Sequence, residues 1–150
     1  MNGLRLEYLH TAEHPSAKAP ARYYRMVNVA DEPVGDINLR LASTDQVVRY
    51  AGHIGYAVHP EHRGHRYAAQ AVRLLLPVAC EHNIDILWIT CDPDNAASRR
   101  TLELAGAEYV ETVNVLYNNA IFLAGHPRKC RYRLATSGKS NGQAVPSKLI

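Results

Sequence analysis

The stretch GYAVHPEHRGHRYAAQAV, residues 55–72, decides how the chain reads. It opens as a short strand, turns at His59-Pro60, and delivers Arg63-Gly64-His65-Arg66-Tyr67-Ala68 into a helix. From Tyr67 to His82 the apolar residues Ala68, Ala71, Val72, Leu75, Val78 and Ala79 recur three and four apart, the period of one buried helical stripe. Pro77 lies inside that stripe and predicts a kink or an early end. A helix start presents unpaired N–H groups and a partial positive charge. Gly64 lets a bulky anion approach the backbone, Ala68 keeps the first turn thin, and Arg63 and Arg66 add full charges. Residues 63–68 are therefore a candidate phosphate cradle, with a solvated basic helix cap as the plainer alternative.

Working outward, residues 47–58 (VVRYAGHIGYAV) read as one strand, weakened by Gly52 and Gly55, where another segment or a ligand can approach the backbone. Residues 84–90 (IDILWIT) read as a strand covered on both faces. Residues 47–90 are thus strand–helix–strand, with a crossover long enough for right-handed parallel pairing. In DPDN, Asp94 or Asn95 can cap a second helix, 96–105, closed by Gly106. Asn95 and Ser98 would face the crevice at the strand ends, where open sheets bind ligands, although capping alone also explains them. Residues 4–9, 21–29, 34–41, 108–115 and 129–135 read as further strands, 10–20 as a loop or one short helix, and 116–127 as a helical turn or loop. The expected fold is a single α+β domain, 1–135, built on a mixed, mostly antiparallel twisted sheet with one parallel pair and helices on both faces. Residues 136–150 are expected to be a polar, disordered tail.

With 150 residues, 47% hydrophobic and 21% charged, the composition is that of a soluble globular domain. It holds no apolar run long enough to span a membrane and no secretory signal. Cys80, Cys91 and Cys130 are scattered and odd in number, which points to reduced thiols and a cytoplasmic location. A net charge of +3 argues against a nucleic-acid partner and is compatible with a small anionic ligand. His59, His62 and His65 fall three apart, but zinc needs a fuller ligand set with orienting partners, so no metal is expected. Gly138-Lys139-Ser140 matches the end of a phosphate loop, yet Arg133 stands where that loop needs glycine, so the match is chance. The alternating run Arg128-Lys129, Arg131, Arg133 reads as one solvated sheet face.

Three segments together, VGDINLRL (34–41), GHIGYAVHPEHRGHRYAAQAV (52–72) and DPDNAASRRTLELAGAEYV (92–110), resemble the GCN5-related N-acetyltransferase (GNAT) superfamily. The likeness is strongest to the branch containing ribosomal-protein and antibiotic N-acetyltransferases. The family's pyrophosphate pattern, Arg/Gln-x-x-Gly-x-Gly/Ala, becomes Arg63-Gly64-His65-Arg66-Tyr67-Ala68 here. Arg66 replaces its central glycine, so either positive φ is not needed there or Arg66 touches phosphate.

The resemblance implies acetyl-CoA as co-substrate and transfer of the acetyl group to a primary amine by direct attack. The acceptor would be a small molecule or a protein N-terminus. It implies that the parallel pair splays, that pantetheine pairs with the backbone near Tyr56, Ala57 and Val58, and that the pyrophosphate sits on residues 64–68. Asn95 would hydrogen-bond pantetheine, and the amide of Tyr56 or Ala57 would stabilise the oxyanion. Leu102 stands where many members carry a tyrosine acid, which leaves Ser98 as the nearest substitute. His53 is the first candidate for general base because histidine titrates near neutrality, ahead of Asp36 and Tyr117. The family walls its acceptor site with helices where this chain has only residues 10–20. That implies an open site or a wall from a second subunit, as in a homodimer. The rivals are a transferase using another acyl-CoA and a non-catalytic acyl-CoA-binding or regulatory module.

Overall fold

The computed structural model describes residues 3–137. Four strands form one meander: β1 (Arg5–His14), β2 (Ala19–Val27), β3 (Pro33–Arg40) and β4 (Ile54–Val58), in the order β1-β2-β3-β4. A second sheet holds β5 (Ile86–Cys91), β6 (Glu108–Asn114) and β7 (Arg128–Ala135), in the order β5-β7-β6. Helix α1 (Tyr67–Glu81) joins β4 to β5, α2 (Ala96–Leu104) joins β5 to β6, and the short α3 (Ala120–Leu123) lies between β6 and β7.

One apolar core holds the two sheets and the two longer helices together. α1 buries Ala71, Val72, Leu75 and Ala79, as its period predicts. α2 contributes Leu102, while Ile37 and Leu39 of β3 and Leu87 and Ile89 of β5 complete the same cluster. α1 runs on to Glu81 despite Pro77, so the expected early end does not occur. Burial of Leu76 just before it and of Ala79 two residues after it holds that turn in the helix. Among the described residues no helix is long and apolar enough to cross a membrane.

Four differences from the expected fold bear on the site. First, residues 10–20 are neither loop nor helix. β1 continues to His14 and turns tightly into β2, with His14 paired to Ala19 across the hairpin. Second, residues Gln46–Ala51 are a single π-helical turn rather than the first half of a strand. Thr44 starts it by accepting from Val47 N at 3.2 Å, and Gly52 N closes it on Val47 O at 2.7 Å. Third, among the described residues every strand pairing is antiparallel, so β4 and β5 form no parallel ladder. Their junction is a pin at His53, whose N–H donates to Trp88 O at 2.6 Å and whose Nδ1 accepts from Trp88 N at 2.9 Å. Gly52, at φ +78°, lets the chains meet, since a Cβ there would lie 3.0 Å from Thr90 N.

Fourth, the basic stripe of β7 is solvated only in part, with Arg128 and Arg133 exposed. Arg131 is buried, lies 2.6 Å from Glu111 and stacks on Trp88, while Lys129 turns toward Asp92. Thr136, expected to open the tail, is buried and donates from Oγ1 to Ile84 O at 2.7 Å. The remainder of the expected tail, including Gly138-Lys139-Ser140, lies outside the described residues.

Candidate active site

Because β4 pairs only with β3 and β5 only with β7, the sheet opens beyond the His53 pin. Two clefts enter that opening. The first, about 450 Å³, is lined by Tyr56, Ala57 and Val58 of β4, by Arg63, Gly64, Arg66, Tyr67 and Ala68 leading into α1, and by Asn95 and Ser98 at the start of α2. These are the residues the sequence assigned to a phosphate and pantetheine site, His65 excepted. His65 stacks on Tyr67 with ring centroids 5.2 Å apart and does not line the cleft.

The turn into α1 carries two residues in the left-handed region. Gly64 adopts φ +94°, and nothing lies within 4 Å of where its Cβ would be. Arg66 sits at φ +60° as the N-cap of α1. The left-handed conformation is therefore required at the position of the replaced glycine, and one horn of the sequence expectation is overturned. A non-glycine residue in that region costs about 1–2 kcal/mol. Arg63 Nε donates to Val58 O at 3.1 Å, which ties the cradle to the end of β4.

The second cleft, about 330 Å³, shares Tyr56, Asn95 and Ser98 with the first. Its walls are His14 and Ser16 from the β1–β2 hairpin tip, Ala51 from the π-turn, and Ile121 and His126 from the β6–β7 connection. Gln46 ties these loops together, donating from Nε2 to Ser16 O at 2.9 Å and to Asn119 Oδ1 at 3.1 Å. Among the described residues, this chain's own hairpin and loop wall the cleft where an open site or a second subunit's wall was expected.

Where the clefts meet, Tyr56 Oη and Ser98 Oγ are hydrogen-bonded at 2.7 Å. Burial pushes the Tyr56 phenol up to about 12, so it stays protonated. Asn95 caps α2 through Oδ1, accepting from Ser98 N at 3.0 Å. Burial also pushes the Cys91 thiol up, which keeps this neighbour a thiol rather than a nucleophilic thiolate.

The proposed bases fare differently. His53 is fully buried and lines neither cleft. With Nδ1 accepting from Trp88 N, its proton is on Nε2, which donates to Ser43 Oγ at 3.0 Å. Both ring nitrogens are used, so its geometry is that of a strand pin and not of a base open to an acceptor. Asp36 is exposed on β3 opposite Ala57, and Tyr117 is 77% exposed; neither lines a cleft.

His126 was missed by the sequence reading. Its Nδ1 lies 2.8 Å from both oxygens of Asp92, which also stands 3.4 Å from Lys129 Nζ. The carboxylate holds the proton on Nδ1 and leaves Nε2 as the basic nitrogen, which has no partner among the described residues. The available signal was positional, because Asp92 directly follows the end of β5.

Burial pushes the His53 imidazole down to about 4, with the Arg40 charge adding to it. His14 moves the same way for the same two reasons. Unfolded histidine titrates near about 6.5, so between those values the unfolded chain binds more protons than the folded one. Stability is therefore full above about pH 6.5 and is lost as pH falls toward about 4, with about 3 kcal/mol at stake for His53. Urea unfolding midpoints should already fall between about pH 6.5 and 5, above the range of ordinary carboxylates. A flat profile across that window would contradict the buried neutral pin.

Comparison with known proteins agrees with this architecture. Residues 6–108 match the family model described as "Acetyltransferase (GNAT) domain". The chain belongs to the GNAT acetyltransferase family. Its fold is similar to that of a ribosomal-protein-S5-alanine acetyltransferase from Vibrio fischeri, at 18% identity and a TM-score of 0.59, over 79% of this chain and 63% of that one. The chain therefore spans less than two thirds of that relative. It is also similar to a spermidine N-acetyltransferase from Vibrio cholerae, described as dodecameric, at 13% identity and a TM-score of 0.65, over 95% and 99% of the two chains. A third similar structure is an aminoglycoside acetyltransferase in complex with coenzyme A, at 16% identity and a TM-score of 0.61, over 83% and 71% of the chains. No curated protein matches the chain.

Proposed function

We propose that this domain moves an acetyl group from acetyl-CoA to a primary amine, one cleft holding each reactant. The observation that carries this function is the meeting of the clefts at Tyr56, Asn95 and Ser98. One cleft ends in a helix start flanked by Arg63 and Arg66, chemistry suited to a diphosphate. The open space above Gly64 fits such a group. The other cleft holds a histidine–carboxylate pair, chemistry suited to taking a proton from an ammonium group.

Acetyl-CoA, when bound, supplies the reactive thioester carbonyl. The chain's residues do the rest. The edge of β4 that β5 leaves unpaired offers backbone groups to the pantetheine arm and an amide to the carbonyl oxygen. His126 Nε2 takes the proton from the amine, and Asp92 balances the imidazolium that results. Ser98, backed by the Tyr56 hydroxyl, donates toward the departing sulfur. Holding amine and thioester at one junction supplies much of the acceleration.

Calorimetry with coenzyme A and a thiol-release assay over a panel of amines test this function. Uptake of coenzyme A, with thiol released only when an amine is added, is the expected result. No uptake sinks it. Leu102, fully buried where many relatives carry a tyrosine acid, favours a second reading as a non-catalytic acyl-CoA-binding module. Uptake without thiol release for any amine would select that one.

A further inference from the structure

Arg40 ends β3 with its guanidinium in the wall of the second cleft and is only 7% exposed. Among the described residues no carboxylate pairs with it. Its Nη1 donates to Ala51 O and Gly52 O, each at 3.0 Å, and its Nε is buried without a partner. Burial pushes this arginine down to about 10, the signature of a charge lacking its counter-charge.

The remaining contact of Arg40 is a poor one. Nη2 lies 3.0 Å from His14 Nε2, while His14 Nδ1 faces Ala17 N at 3.1 Å. Both neighbours are donors, and a neutral imidazole has a single acceptor nitrogen. With Nδ1 accepting from Ala17 N, the proton sits on Nε2 and Nη2 faces a second donor, so Nη2 is the guanidinium nitrogen that gains by turning to a ligand. Space for it is kept by Gly55, where a Cβ would lie 2.6 Å from Nη2.

The rest of the cleft has the same electrostatic sense. Its charged residues are Arg40, Lys129 and Asp92, with His14 and His126 beside them. The one carboxylate is already engaged by His126 and Lys129. A polyamine would bring further ammonium groups against Arg40 and Lys129 with no free acid to receive them. A carboxylate or phosphate would instead give the buried guanidinium its missing partner, in the two-pronged geometry arginine favours.

Given acetyl transfer as the activity, we propose that the second cleft selects amines that carry an anionic group, and that Arg40 binds that group. The test uses aliphatic amines of several chain lengths ending in carboxylate, phosphate, carboxamide or a second ammonium, with thiol release from acetyl-CoA as the readout. An anionic end should raise kcat/KM about tenfold or more over the carboxamide of equal length. The carboxylate and phosphate arms separate the two anion chemistries.

In Arg40→Gln the anionic advantage should shrink toward unity while coenzyme A uptake persists, and Arg40→Lys should keep part of it. A preference for neutral or cationic ends overturns the proposal. So does an anionic preference that survives Arg40→Gln. If that variant fails to fold for want of its bonds to Ala51 and Gly52, the wild-type ranking still decides. Release with neutral or cationic amines but no anionic one defeats this inference alone, whereas silence with every amine sinks the transferase function and this inference with it.

Discussion

Gly64→Glu is expected to lower coenzyme A affinity by roughly a thousandfold while leaving the domain folded. The new side chain enters open cleft, because no atom lies within 4 Å of the Cβ position. Nothing in the core has to move. The fold bears only the strain of a side chain at φ +94°, about 1–2 kcal/mol. The ligand bears a carboxylate set among the helix-start amides where its diphosphate belongs. Two like charges about 4 Å apart at an effective dielectric near 20 repel by about 4 kcal/mol, which is about three decades in affinity. Gly64→Ala separates the two effects, since it carries the backbone strain without the charge and should lose little binding. Calorimetry on both variants, with thermal melts to confirm folding, checks the pair. Wild-type affinity in Gly64→Glu would mean that the diphosphate binds elsewhere.

The same turn shows why much of this site was legible in the sequence. A helix period beginning at Tyr67, preceded by Arg63 and Gly64, depends on local spacing alone, and α1 starts at that residue. The Asn95 cap of α2 is equally local, and Ser98 follows it at fixed helical offset. Those local signals supplied the two helix starts that line the first cleft, the family resemblance supplied Tyr56, Ala57 and Val58 of β4, and His62, Ala97 and Thr101 were not foreseen.

The second cleft was not legible because its walls come from segments distant in the chain. His14, Arg40, Asp92 and His126 converge only when the β1–β2 hairpin, the π-turn and the β6–β7 connection close together. The π-turn was itself hidden. Val47 and Val48 are β-branched and Tyr50 aromatic, a composition that favours strand. The better clue was the burial of Val47 and Tyr50, three apart, behind Thr44 as a start signal. His53 misled for a related reason. Its side-chain chemistry suits a base, but whether a histidine reaches a cleft or bolts two strands together depends on what packs over it. Arg66 shows the reverse case, a positive φ enforced by the surrounding turn on a residue that does not favour it.

His126→Gln is expected to lower kcat by about 10²- to 10⁴-fold, the range typical of a lost general base, without weakening coenzyme A binding. Its imidazole lies in the second cleft and not the first, so the cofactor side should be untouched. Asp92 fixes the ring through Nδ1 at 2.8 Å, which directs the lone pair of Nε2 away from the carboxylate. The charged and titratable groups that share its cleft are Asp92 after β5, Lys129 of β7, Arg40 of β3 and His14 of β1, and Asp94 and Arg128 line a neighbouring cleft with Asp92. A positioning or folding defect would lower activity equally at every pH. Loss of a base would not, because an aliphatic amine sheds its own proton as pH approaches about 10. The deficit of His126→Gln should therefore narrow steadily at alkaline pH, where the amine needs no base. Asp92→Asn should give a smaller loss of the same shape, since the amide still orients the ring but no longer balances the imidazolium. If His126→Gln turns over within about threefold of wild type, or its deficit is the same at every pH, proton removal belongs to another group or to solvent.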